Sequence, residues 1–348
     1  MFYKMTAGMG EIVFAPLYQA LIKRGVRFKF FHRLEDIKLA HDGRGQHVSE
    51  LNFGVQAISK TEDYDPLIDV HGIPCWPDTP RYELLDPDYP FSKEAQSYED
   101  ERRREAVAKR TLRVGKDFDG VVLAISLASI PYCGSKLIAS SERWRNMVET
   151  ISTVGTQAAQ LWLKPTVSEL GSNLGGGSLS GFVTPFDTWA DMTHLNSVEG
   201  DDSRIGSIAY FCSVLPDSKT EHQVDDVQKT MSHYLEKQLP KLWPNLPGWL
   251  ARDDFFVAGN GKPGELSSQY LRVNQVGSER YVQTLPGTSA ARISPLEKQF
   301  DNLTIAGDWT NNGLNAGCVE AAVMSGKLAA NALSGSPSLE SIVGFDHL

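Results

Sequence analysis

Residues 302–333, NLTIAGDWTNNGLNAGCVEAAVMSGKLAANAL, constrain the fold of this chain more than any other stretch. Residues 303–306 are a short apolar run suited to a buried strand, residues 307–317 are rich in glycine and asparagine, and residues 318–333 carry apolar side chains at helical spacing. The pattern predicts a strand, a turn and a helix. In such a unit glycines let the backbone approach a ligand closely, and the free N–H groups at the helix start favour a negative or electron-rich group. The spacing is neither GxGxxG nor GxxxxGKS. Spacing alone therefore predicts a helix N-terminus able to take a phosphate or a ring edge, and it equally suits an ordinary strand, turn and helix whose glycines serve packing.

The same string resembles the C-terminal flavin-binding segment of the FAD-dependent amine oxidase and phytoene desaturase superfamily, which reads apolar strand, AGD or AGE, a variable turn, then GxxEGAxxSGxxAA. The matching residues are Ala306, Gly307 and Asp308, then Gly317, Cys318, Val319, Glu320, Ala321 and Ala322, then Ser325, Gly326, Ala329 and Ala330. The resemblance implies FAD as cofactor. It places Asp308 and the backbone of Gly307 and Asp308 at the ribityl and pyrophosphate region, and the Val319 N–H at the flavin O2 edge. The implied cofactor-binding set is Leu34, Gly307, Asp308, Trp309, Asn315, Gly317, Cys318 and Val319. Ala321 stands where the family usually has glycine, a change a helix tolerates well.

Earlier segments extend the resemblance over residues 7–333. Residues 11–23 show helical spacing at Ile12, Val13, Leu17, Ala20 and Leu21, with Pro16 acceptable only near the first turn, and residues 26–30 alternate as a strand after Gly25. Residues 7–37 are similar to the superfamily segment GGM, helix, GVxFxxxxxVxxI, which puts Leu34 where an apolar residue's backbone meets the adenine. Residues 118–125, FDGVVLAI, read as a buried strand and resemble ADxVIxAxP, with Ser126 replacing the proline. Residues 267–286 read as two extended pieces and resemble YxRVNxxPSERYVxSxPG, with Arg272 and Arg280 as partners for acidic groups or as ordinary pairs.

Elsewhere residues 41–56 predict a hairpin turning at Gly43 and Gly45, and residues 63–90, with six prolines, predict an irregular surface excursion. Residues 99–110, EDERRREAVAKR, predict a solvated helix face. Helices are expected over 137–151 and 224–242, strands over 156–163 and 208–215, and a flexible loop over 171–181. Asp187 and Asp191 could do acid and base work or cap local structure. The tail after Gly335 reads as weakly ordered.

The expected fold class is mixed α/β: a partial Rossmann-like FAD-binding domain from residues 1–60, 115–130 and 267–335, with a substrate domain and surface excursions over 61–114 and 131–266 and a tail at 336–348. No GxGxxG unit followed by a strand ending in glutamate occurs, so the resemblance implies the C-terminal portion of a longer flavoprotein, binding FAD weakly by itself. The implied partner is that missing N-terminal segment or a companion chain supplying it.

A formal net charge of −9 gives no basic footprint for nucleic acid. The four cysteines show neither metal-ligand nor disulfide-framework spacing, which fits a reducing cytoplasm. No run of eighteen apolar residues occurs; the lipid substrates of many relatives leave peripheral membrane contact open. The implied reaction is hydride removal from a hydrophobic small molecule to flavin, desaturase-like, with no protein acid or base assigned. Amine oxidation is the less favoured alternative, since Gln157 occupies the position of a lysine that holds a water in amine oxidases and Cys318 that of a cage tyrosine. A non-catalytic partner subunit or degenerate relative is the other alternative.

Overall fold

The alternation of residues 156–163 becomes, in a computed structural model, the strand Thr156–Leu163 at the centre of a seven-stranded antiparallel sheet. The structure describes residues 5–43, 45–94, 98–200, 202–216, 221–258 and 263–347. Two units divide the chain. The first comprises Met1–Arg27, Pro66–Asp78 and Gly155–Gln275, the second Phe28–Asp65, Thr79–Val154 and Val276–Leu348.

In the first unit, Thr156–Leu163 pairs in full register with Ser207–Val214 on one side and with Tyr270–Asn274 on the other. Ala159, Leu161 and Leu163 face a core holding Trp189, Phe211, Tyr234 and Trp243. The helix Val224–Lys237 closes this core with Val227, Met231, Tyr234 and Leu235, the i, i+4, i+7, i+8 stripe of an amphipathic helix. It ends before residue 242 because Pro240 lies in the 3-10 turn Leu239–Lys241. The expected helix over 11–23 forms as Ala15–Lys23 behind a π-helical turn, Gly10–Phe14, so that Pro16 falls in the first α-helical turn, where its missing N–H costs nothing. Residues 1–4 of the glycine-containing opening lie outside the described residues.

The second unit carries a hairpin, His32–Asp42 with Gly45–Val55, and Ala108–Arg113 as its third strand. The hairpin turns where expected, with Asp42 opposite Gly45, but it is longer than residues 41–56 implied because its first strand begins at His32. The strand expected over 26–30 does not form. Phe31 turns the chain at φ 59°, and the rings of Phe30 and Phe31 pack on Tyr64 at 5.5 and 5.0 Å instead of standing on a pleated surface. Nor does residues 99–110 form a helix face: the Glu101 carboxylate turns inward to the N–H groups of Gly277 and Ser278, and from Ala108 the chain is strand. Its exposed Lys109 and Arg110 lie on the outer strand of this sheet, where charge discourages further pairing.

Two further expectations are corrected. Residues 137–151 are not one helix but Ser135–Ser140 and Glu142–Thr150, broken at Ser141, whose extended backbone lets its hydroxyl accept the Trp144 N–H and cap the second helix. The stretch 63–90 is largely irregular yet contains the small hairpin Ile68–Val70 with Ile73–Cys75, turned by His71 and Gly72, both at positive φ.

Cys133, buried in the second unit's core, has its thiol pushed up to about 11 by burial. It therefore stays protonated, and slow to react, throughout the neutral range. Native alkylation with iodoacetamide at about pH 8.5, well below that value and near the ordinary thiol range, is expected to label partly exposed Cys75 and Cys318 and to spare Cys133 until the protein unfolds. Peptide mass spectrometry reads the order directly, and Cys133 labelling as fast as Cys318 would contradict its burial.

Candidate functional site

The end of the second unit assembles as strand, turn and helix. Leu303–Ile305, buried at all three positions, lies parallel to Val121–Leu123, with Leu303 opposite Val121 and Ile305 opposite Leu123. Asn302 fixes this pair to the hairpin by exchanging side-chain hydrogen bonds with the Val48 N–H and carbonyl at 2.8 and 2.9 Å. The helix Val319–Ser334 follows the turn and stops at Gly335, whose φ of 73° is the left-handed conformation of a helix end.

Between them the turn is held by its own polar groups. Gly307 has φ 146°, and its N–H donates to the Ser325 hydroxyl at 3.0 Å. Thr310 and Ser325, both fully buried, sit with their hydroxyl oxygens 2.7 Å apart, and the Thr310 hydroxyl donates to the Gly307 carbonyl at 2.9 Å. Because Thr310 gives its proton to that carbonyl, Ser325 donates to Thr310, and all three groups are satisfied. Buried Asn312 donates to the carbonyls of Asp308 and Thr310 and accepts from the N–H groups of Leu314 and Asn315, which lets Asn315 sit at φ 55°. Tyr281 and Thr284 reach the turn from the segment before it, their hydroxyls donating to the carbonyls of Gly317 and Asn315.

The implied cofactor-binding residues fall as follows. Gly307, Asp308, Trp309, Asn315, Gly317, Cys318 and Val319 share this turn and helix start. Trp309 is turned inward: it is 3 % exposed, packs in the unit's core and donates its indole N–H to the Ile125 carbonyl at 2.9 Å. Asp308 is partly buried, and burial pushes its carboxyl above the usual range against the pull of Arg292. Cys318 occupies the N-cap position without a side-chain hydrogen bond, and Val319 is exposed. Leu34 lies on the strand His32–Asp42, opposite Phe53 and against the same core.

Gln157, in the first unit, is buried and donates to the Ser213 hydroxyl at 3.0 Å and the Pro185 carbonyl at 3.4 Å, a local packing role. Asp191 is also structural, accepting from the Thr193 N–H at 3.0 Å and from the Gly176 N–H at 2.5 Å. Arg280 donates to the Thr153 hydroxyl and carbonyl, neutral acceptors both. The sequence reading overlooked Tyr281, Thr284, Arg292, Thr310 and Asn312. Tyr281 was visible inside SERYV and Ser325 inside the SG pair, but nothing local marks Arg292.

The tail is not loose. Ile342 is 1 % exposed, and at Gly313, φ 90°, a Cβ would stand 2.3 Å from the Gly344 carbonyl, so the tail rests directly on the turn. This correction arises because two glycines allow the backbones to meet.

Chemically, the donor set suits an electron-rich planar ligand. The first-turn N–H groups of a sixteen-residue helix have no side-chain cap, and Gly317 leaves no Cβ between the backbone and the Tyr281 ring. Together these elements make a mixed α/β architecture in which a glycine-rich turn leads into a helix without a side-chain cap. The family model for flavin containing amine oxidoreductases matches residues 113–334, well over half of the chain, and the chain belongs to that family, whose cofactor is FAD. Among solved structures it is similar to an oxidoreductase from Methanosarcina mazei, with 15 % identity and a TM-score of 0.36, over 63 % of this chain. The chain spans 43 % of the length of that oxidoreductase. No curated protein matches it. Among the described residues no helix is long and apolar enough to cross a membrane.

Proposed function

We propose that this chain is the flavin-facing and substrate-facing portion of an FAD-dependent oxidoreductase that removes hydride from a hydrophobic small molecule, in the manner of a desaturase. The observation that carries the reading is the uncapped start of Val319–Ser334 at the end of a self-satisfied glycine turn, within the segment matched by the family. The second unit takes the FAD-binding role and the first the substrate role. Leu34, Gly307, Asp308, Trp309, Asn315, Gly317, Cys318 and Val319 form the cofactor-binding set, with Trp309 acting through packing. The flavin, when bound, supplies the hydride acceptor. The chain's own residues position it: the N–H groups beginning at Val319 meet its electron-rich edge, Asp308 accepts hydrogen bonds from its sugar chain, and Tyr281 walls the turn at Gly317.

A GxGxxG-bearing segment, supplied by a longer form of the chain or by a companion, completes the site in this reading. The two-stranded parallel sheet supports it, since parallel strands ordinarily lie inside larger, covered sheets. The scattered free cysteines favour the cytoplasm. Peripheral membrane contact belongs to the same reading through the apolar substrate, and nucleic acid does not. Amine oxidation is the second reading, favoured by the family's description and opposed by Gln157 and Cys318.

The test is the visible absorption of the protein with added FAD, alone and with the GxGxxG-bearing segment in trans. A perturbed flavin band in the combined sample is expected; none in either sample ends the flavin reading, and peroxide release with amines would move it to the second.

Asp308→Asn refines the test. Because burial raises the Asp308 carboxyl in the folded chain, its stabilising contribution is complete below the ordinary carboxylate range and is lost as pH rises through the raised value. At neutral pH the variant is therefore expected to melt slightly above wild type, with the gap closing in acid. FAD binding is expected to weaken about tenfold or more, the worth of a charge-assisted hydrogen bond at about 1.5–3 kcal/mol. A variant that loses both stability and FAD would contradict the assignment.

A further inference from the structure

Arg292 is a fully buried cation with an unusual set of partners. Its two terminal nitrogens donate to the Asp308 carbonyl at 2.9 Å, the Gln283 carbonyl at 3.2 Å and the Thr284 hydroxyl at 2.9 Å. No carboxylate lies within ion-pair distance among the described residues, and its Nε has no hydrogen-bond partner. Burial lowers its basicity and the Asp308 charge raises it, so Asp308 is the anion it senses. A guanidinium left without a carboxylate in the interior is costly, and here its rigid fork is spent on three neutral acceptors.

What it holds is the turn described above. Through Asp308 it reaches the start of the turn. Through Thr284, whose hydroxyl donates onward to the Asn315 carbonyl, it reaches the far end. Arg143 fixes the segment that carries it, donating to the carbonyls of Ala290, Ala291 and Arg292 while paired with Glu297 at 3.1 Å. Residues 283–284, 292 and 308 are thus tied by one planar fork, and Asn315 joins them through the Thr284 hydroxyl.

We infer that Arg292 is the positioning residue of the cofactor turn, holding residues 308–315 in the flavin-receiving conformation and lending them a positive potential. The inference rests on the flavin reading above. Lysine keeps the charge but has no fork, so it cannot span three acceptors; methionine loses both.

The experiment compares Arg292→Lys, Arg292→Met and wild type, each with the GxGxxG-bearing segment, by FAD titration, bound-flavin spectrum and hydrogen exchange of the FAD-free chain. Thr284→Val joins them as a variant of an exposed residue that removes one link and leaves the core intact. The expected result is faster exchange across residues 308–315 in all three variants, with amides of 156–163 unchanged. FAD affinity is expected to fall about tenfold for lysine and further for methionine, with a less resolved flavin band. Unchanged exchange of the turn in the variants overturns the inference, whether or not FAD binds. Accelerated exchange with unchanged FAD affinity and spectrum overturns its link to the cofactor. If wild type binds no FAD at all, the flavin reading fails by itself, and accelerated turn exchange still supports the clamp.

Discussion

Gly307→Ala is expected to be among the most damaging single-methyl changes in the chain, lowering stability by about 3 kcal/mol or more and abolishing any flavin-induced spectral change. A Cβ at this position would stand 2.4 Å from the Trp309 indole nitrogen and 2.8 Å from its neighbouring ring carbon, and the backbone φ of 146° is one that L side chains rarely adopt. The indole cannot step aside. It is 3 % exposed, its N–H is bound to the Ile125 carbonyl, and its ring is packed among the core residues that also hold Leu123 and Ile305. Making room would strain a well-packed core by about 1–3 kcal/mol and break an indole hydrogen bond worth about 1 kcal/mol, before backbone strain is added. Urea unfolding followed by tryptophan fluorescence measures the loss. A variant within about 1 kcal/mol of wild type would show that Trp309 is not the fixed wall described here.

Glu101→Ala is expected to cost about 2–4 kcal/mol, from two charge-assisted hydrogen bonds lost together. The carboxylate is 8 % exposed and accepts the N–H of Gly277 at 2.8 Å and of Ser278 at 3.2 Å, so alanine leaves two donors without their acceptor. Glutamine offers only one accepting oxygen and turns an NH2 group toward the other donor, so Glu101→Gln is expected to recover less than half of the loss. The consequence reaches the turn at residues 307–317, because residues 277–278 lead directly into Tyr281 and Thr284. Thermal melts of the two variants and hydrogen exchange at residues 281–284 give the answer. Glutamine behaving as wild type would mean that charge is irrelevant there.

These two residues mark what could and could not be seen before the fold was known. Gly307 stood in a string whose local chemistry is self-announcing: an apolar strand, glycine, and a helix closed by Gly335. The segments 156–163, 208–215 and 319–333 were legible for the same reason, their apolar period matching the element each became. Glu101 stood in a run of mixed charge that resembles a solvated helix, and only its partners at Gly277 and Ser278 show it to be an interior anchor.

From its sequence alone, then, this chain declares a mixed α/β fold that closes on a strand, a glycine-rich turn and a helix over residues 303–333, because these follow from periodicity and from glycines whose dihedral needs are local, while flavin entered only through the resemblance of that string to a family. Tertiary structure decided the rest. That Trp309 points into the core, that the tail lies on Gly313, and that Arg292 ties Asp308 to Thr284 depend on groups brought together across the fold. Side-chain hydrogen bonding carries no periodic signature along a chain, so which donor meets which acceptor is settled only when packing excludes water and each buried polar group must find its partner.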